Sequence, residues 1–109
     1  MGGVGFLTGI ARLLRRQDMI VTLAEMKQYL RVDGSDDDAL ITYLIKDCKK
    51  RCLDILRVDK VSEVEDRAKL KLGVYYAVAY LYEHREEADH NKLNLTLRAI
   101  FFADRKAGF

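Results

Sequence analysis

Apolar residues recur along this chain at helical rather than strand spacing. Leu23, Met26 and Leu30 stand at i, i+3 and i+7 and predict a first helix over about 23–30. After Ser35 a longer stretch puts Leu40, Ile41, Leu44, Ile45, Cys48, Cys52, Ile55 and Leu56 on one face. Asp47, Lys49, Lys50 and Asp54 fall outside it, so a second helix is expected to run to about Leu56. A third is expected to follow Ser62 and reach Glu87, with Leu70, Val74, Ala77, Val78, Leu81 and Tyr82 as its apolar positions. Between Gly73 and Tyr82 this stretch is apolar or aromatic on nearly every side, the mark of a helix at the centre of a bundle or covered by a partner. A last helix is expected from Leu95 to about Ala103, burying Leu97, Ile100 and Phe101. The pattern therefore predicts an all-α domain: a compact bundle of about four helices with the second and third as long scaffolds.

Local signals set the expected boundaries. Thr22-Leu23-Ala24-Glu25, Ser35-Asp36-Asp37-Asp38 and Ser62-Glu63-Val64-Glu65 each match a capping box, in which a hydroxyl accepts from a free helix N–H and an acid reaches back to the cap residue. Asp33-Gly34 predicts a turn with Gly at positive φ. Val58 to Val61 read as a short connection, Ala88 to Asn91 as a polar break, and Asn94 as the cap of the last helix. Proline is absent, so nothing forces a break inside the long periodic stretches.

At 109 residues the chain is expected to form one compact domain, over 19–109. Residues 1–18 stand apart as a glycine-rich, basic extension. Phe6, Leu7, Ile10, Leu13 and Leu14 would share one helix face, with Arg12, Arg15 and Arg16 away from it. The segment either packs on a neighbour or precedes the domain proper at Met19; the sequence leaves both open.

Charge narrows the function classes. The whole chain has a formal net charge of +2, and residues 1–18 carry all of it; the remainder holds equal numbers of basic and acidic side chains. A protein that grips phosphates shows a clustered basic excess, so general nucleic-acid affinity is not expected of 19–109. No apolar run approaches the roughly 20 residues that span a bilayer, and the apolar stretch 5–10 is too short for a signal core, so neither a membrane nor a secreted location is expected.

Candidate chemistry is sparse. Cys48 and Cys52, one helical turn apart, are expected to be reduced small hydrophobes and not a disulfide or metal pair. His84 sits in Glu83-His84-Arg85, without the second histidine of a His-Glu-x-x-His zinc motif, and His90 falls in the expected polar break. Asp33, Asp36, Asp37 and Asp38 lack the alternation, the sixth-position Gly and the twelfth-position Glu of a calcium loop, and helix capping accounts for them. No nucleophile–base–acid set and no Gly-rich loop after a strand is present. No catalysis, cofactor or metal is expected. The cluster Tyr75, Tyr76, Tyr80 and Tyr82 is the most informative: four rings around one helix point in several directions, and tyrosine suits core and interface alike.

Three stretches together resemble the head–tail connector (head-completion or adaptor) proteins of long-tailed bacteriophages and prophages. Met19 to Asp33 followed by Asp36-Asp37-Asp38-Ala39-Leu40-Ile41 resembles the family's opening. Ala77 to Glu86, with Tyr82-Glu83-His84-Arg85 after an alanine-rich apolar run, resembles the end of its long helix, and Leu93 to Arg105 its closing helix. The first 18 residues have no counterpart, and the family's prolines before the third and last helices are missing.

The resemblance implies a structural, non-enzymatic subunit of the virion's head–tail junction, assembled in the host bacterial cytoplasm. It implies a homo-oligomeric ring of about twelve copies, closed by two different faces of each subunit. The portal protein and a tail-completion protein are the implied partners, with DNA passing through the lumen without sequence-specific binding. On that reading Tyr75, Tyr76, Tyr80 and Tyr82 are the expected subunit contacts, and Arg98, Phe102, Arg105 and Phe109 the expected portal or tail contacts. The competing reading is a small helical DNA-binding regulatory protein, supported by a pI near 8.5 and the arginines at 12, 15 and 16. It lacks a basic recognition helix after a short turn.

Overall fold

The computed structural model describes residues 20–103, so the N-terminal extension, Arg105 and Phe109 lie outside the described residues. Four α-helices follow one another: α1 (Leu23–Leu30), α2 (Asp38–Leu56), α3 (Arg67–Glu83) and α4 (His90–Phe102), with a short 3-10 turn at Val61–Glu63 before α3. Among the described residues there is no strand, and the all-α architecture with two long scaffold helices matches the sequence pattern.

Helix α3 packs along both α2 and α4, while α1 lies across α2 and α3. Met26, Ile41, Cys48, Cys52, Leu70, Val74, Ala77, Val78 and Leu97 are sealed from solvent at the centre. No polar or charged residue is buried among the described ones. Gly73 lets α4 approach the α3 backbone: a Cβ there would stand 2.5 Å from Phe101 Cζ and 2.6 Å from Cε1. No side chain larger than hydrogen fits unless that ring moves.

The helix starts show which local signals prevail. The first capping box forms in full: Glu25 N donates to Thr22 Oγ1 at 3.1 Å, and Thr22 N donates to Glu25 Oε1 at 3.0 Å. The other two do not. Helix α2 begins at Asp38 with Asp37 as N-cap, and no side chain caps it. Both carboxylates are engaged across the bundle, Asp38 by Lys27 at 2.7 Å and Asp37 by Tyr82 at 2.6 Å and Arg85 at 3.3 Å. The residues from Ser62 also start no α-helix; Asp66 caps α3 by accepting from Lys69 N at 3.0 Å. Asp89 caps α4 in the same way, accepting from Lys92 N at 3.0 Å, so α4 begins within the expected polar break and Asn94 lies inside it. That earlier start buries Leu93 and leaves Ile100 half-buried. Helix α3 ends at Glu83, four residues before the expected Glu87.

The helix ends hold a second correction. No described glycine has positive φ, Gly34 included; Arg31 (φ 59°) and Arg57 (φ 60°) adopt the left-handed conformation instead. Each closes a Schellman arrangement. Arg31 N donates to Gln28 O and Val32 N to Lys27 O; Arg57 N donates to Asp54 O and Val58 N to Leu53 O. Val32 and Val58, one residue on, pack against the core, and this hydrophobic contact holds a non-glycine residue in a conformation costing about 1–2 kcal/mol.

Candidate subunit-contact surfaces

Helix α3 carries two apolar stripes. Leu70, Gly73, Val74, Ala77, Val78 and Leu81 face the core. Leu72, Tyr75, Tyr76 and Ala79 repeat the same i, i+3, i+4, i+7 spacing on another face, and none of them is fully buried among the described residues. Leu72 is 53% exposed, and Tyr75 and Tyr76 are half-buried. Tyr29 of α1, 50% exposed, extends the surface by stacking on Tyr75 with ring centroids 4.7 Å apart.

A polar clasp holds α1 at this surface. Lys71 Nζ donates to Glu25 Oε2 at 2.6 Å and lies 5.9 Å from the centre of the Tyr75 ring. The Lys71 hydrogen bond, then that from the Thr22 backbone, holds the Glu25 carboxyl below the usual carboxylate range. The Lys71 ammonium is raised by the same bond. Burial, with Glu25 nearby, raises the Tyr75 phenol.

The four expected contact tyrosines do not form one surface. Tyr75 and Tyr76 share the second stripe, whereas Tyr80 and Tyr82 serve the bundle's own joints. The Tyr82 hydroxyl donates to Asp37 Oδ2 at 2.6 Å, tying the end of α3 to the start of α2, and Arg85 lies over the Tyr82 ring. That hydroxyl first, and Arg85 after it, depress the Asp37 carboxyl below its ordinary value. The Tyr80 hydroxyl accepts from Asp89 N at 2.9 Å, joining α3 to the cap of α4, and its ring stacks on His84.

Of the expected portal or tail contacts, Arg98 is exposed on α4 beside a groove shared with Asp47, Lys50 and Arg51 of α2. Arg51 spans that groove, donating from Nη1 to Asn94 Oδ1 at 2.9 Å, with Nη2 3.1 Å from His90 Nδ1. Phe102 is half-buried at the edge of a different cleft. Sequence reasoning missed Leu72, Tyr29, Tyr43 on α2 and Leu95 on α4, the large apolar residues most exposed among those described. Their only signal was position: each lies off the core stripe of its helix.

The chemistry available is limited. Burial pushes both Cys48 and Cys52 thiols up to about 12, so neither is a thiolate at neutral pH. Among the described residues no three His, Cys, Asp or Glu side chains are grouped to hold a metal ion, and no helix is long and apolar enough to cross a membrane.

No curated protein and no solved structure matches the chain. A family model does: that of the phage gp6-like head–tail connector protein matches residues 20–99, from just before α1 into the last turns of α4. The match covers nearly all of the described bundle, including both stripes of α3. The chain thus belongs to the phage gp6-like head–tail connector protein family and has the role of a structural connector of the phage particle.

Proposed function

We propose that this connector works as one subunit of a closed ring of about a dozen copies between portal and tail, with the second stripe of α3 as one of its two subunit contacts. The observation that carries the reading is that partly exposed second stripe. Leu72, Tyr75 and Tyr76, widened by Tyr29, present adjacent apolar and aromatic area on a helix whose opposite side already fills the core. Such a surface on a small domain marks a partner contact. Tyrosine suits it, with a rigid ring and a polar tip.

Tyr80 and Tyr82 act in this reading as positioning residues for the ends of α2 and α4, while Tyr76 makes the direct contact. Arg98 and Phe102, with Arg105 and Phe109 of the segment beyond the described residues, are the proposed portal or tail contacts. The subunit serves at the head–tail junction of the virion and is assembled in the host cytoplasm. DNA passes through the ring's lumen, and the charge balance of 19–109 fits a wall that does not hold the phosphates. No group of residues in the described bundle supports a catalytic role.

The test is Tyr76→Ala beside Leu72→Glu. Leu72→Glu changes an exposed position and should leave chemical denaturation within about 0.5 kcal/mol of the parent, while Tyr76→Ala, at a half-buried ring packed against the core, should cost about 1–2 kcal/mol. Each should sharply reduce assembly, measured as the mass of the protein mixed with its portal. Assembly equal to the parent's in both variants would overturn this choice of surface.

A further inference from the structure

At the end of the bundle where α2, the 3-10 turn and α4 meet, a cleft of about 390 Å³ opens on the surface. Leu70, Phe101 and Phe102 contribute to its apolar lining, and Glu63, Glu65 and Asp66 stand beside it with Lys69 as the one cation. Glu63 Oε1 accepts from the N–H groups of Asp59 and Lys60, Asp66 Oδ1 accepts from Lys69 N, and Glu65 is exposed. An apolar floor under an acidic rim fits a peptide carrying cations close to an aromatic ring.

The chain supplies such a segment at this place. Phe102 is at the lip, and the sequence runs on from Ala103 as Asp104-Arg105-Lys106-Ala107-Gly108-Phe109, two adjacent cations with an aromatic three residues later. Six residues reach at most about 20 Å, ample to fold back over a cleft of this size. A segment tethered at the lip meets the cleft at an effective concentration of order millimolar, so even a weak contact is populated.

We propose that the cleft is the docking site for residues 104–109 of the same chain, with Arg105 and Lys106 toward Glu65 and Asp66 and Phe109 over the apolar floor. The docking does not depend on the connector reading. Where both hold, a portal or tail partner that uses Arg105 and Phe109 must first displace them from the cleft.

The experiment uses the full chain with p-benzoylphenylalanine in place of Phe109, irradiated at high dilution and mapped by peptide mass spectrometry. The expected product is a cross-linked monomer joined to peptides within 56–70 or around Phe101. Glu65→Arg, at an exposed position, or Arg105→Glu, each made alone, should lower its yield several-fold, and the two together should restore it. Cross-links found only in dimers would assign the cleft to another copy's segment and overturn the proposal. Yields indifferent to both charge changes would overturn it as well. Either result leaves ring assembly untouched, so its failure is separable from failure of the connector reading.

Discussion

Gly73→Ala tests the closest packing contact in the bundle, the approach of α4 to the α3 backbone. In an exposed helix this substitution stabilises by about 1 kcal/mol, because alanine is the better helix former. Here the new Cβ would lie 2.5 Å from Phe101 Cζ, about 1 Å inside the separation at which carbon atoms attract. Phe101 is only 7% exposed, but it borders the 390 Å³ cleft, so the ring can shift on that side, displacing any segment docked there. Relief of that kind keeps the cost in the ordinary range for an overfilled core, about 1–3 kcal/mol. Overpacking therefore outweighs propensity, and a net loss of about 1 kcal/mol should lower Tm by about 4–8 °C in a domain of this size. Phe101→Leu removes the atoms that clash. In that background Gly73→Ala should turn stabilising, by up to about 1 kcal/mol. Thermal and urea unfolding of the four proteins completes the cycle. A rise in Tm for Gly73→Ala in the parent background would refute the reasoning, since α4 would then not contact α3 at Gly73.

Other substitutions probe the caps, the clasps and the thiols. Arg57→Gly should stabilise by about 0.5–1 kcal/mol in urea unfolding, since glycine relieves the left-handed residue at some cost in unfolded-state entropy; a loss of stability would contradict the φ of 60°. Glu25 and Asp37 both have carboxyl groups depressed in the folded state, so their contributions are present above the ordinary carboxylate value and lost as pH falls through the folded value. Lys71→Met should flatten the acid limb of the stability–pH curve below about pH 4.5, and Tyr82→Phe should move the Asp37 titration, followed by NMR, upward. An unchanged limb or an unmoved titration would remove the clasp concerned. Cys48 and Cys52, with thiols near 12, should resist alkylation in the native protein at pH 8 and react once it is unfolded; rapid native labelling would show that the core opens.

The fold class and the core stripes were legible because they depend on periodicity, which burial imposes directly on sequence. Helix α1 was legible to the residue because its capping box is entirely local. The Ser35 and Ser62 patterns looked equally good; the first failed through contacts between 11 and 48 residues away in sequence, Asp38 turning to Lys27 and Asp37 to Tyr82 and Arg85, while at the second Glu63 bonds back to Asp59 N and Lys60 N and the helix starts only after its cap at Asp66. Single aspartates, Asp66 and Asp89, cap α3 and α4 and carry no three-residue signature. The left-handed ends at Arg31 and Arg57 could not be read, since an arginine announces nothing about φ and the stabilising contact is made by the valine that follows. The tyrosine cluster was visible as a cluster, but its division between surface and joints depends on where α1, α2 and α4 arrive. Leu72 and Tyr29 were missed because an apolar residue off the core stripe gains meaning only once that stripe is seen to be filled.

The most direct test of the central claim is the mass of the purified full chain, by light scattering after size exclusion, across a concentration range with and without its portal, beside Leu72→Glu. A discrete species near a dozen subunits is expected in the parent, at the latest when the portal is present, and its loss in the variant. A single-subunit mass under every condition, or a mass that grows without limit, would contradict it.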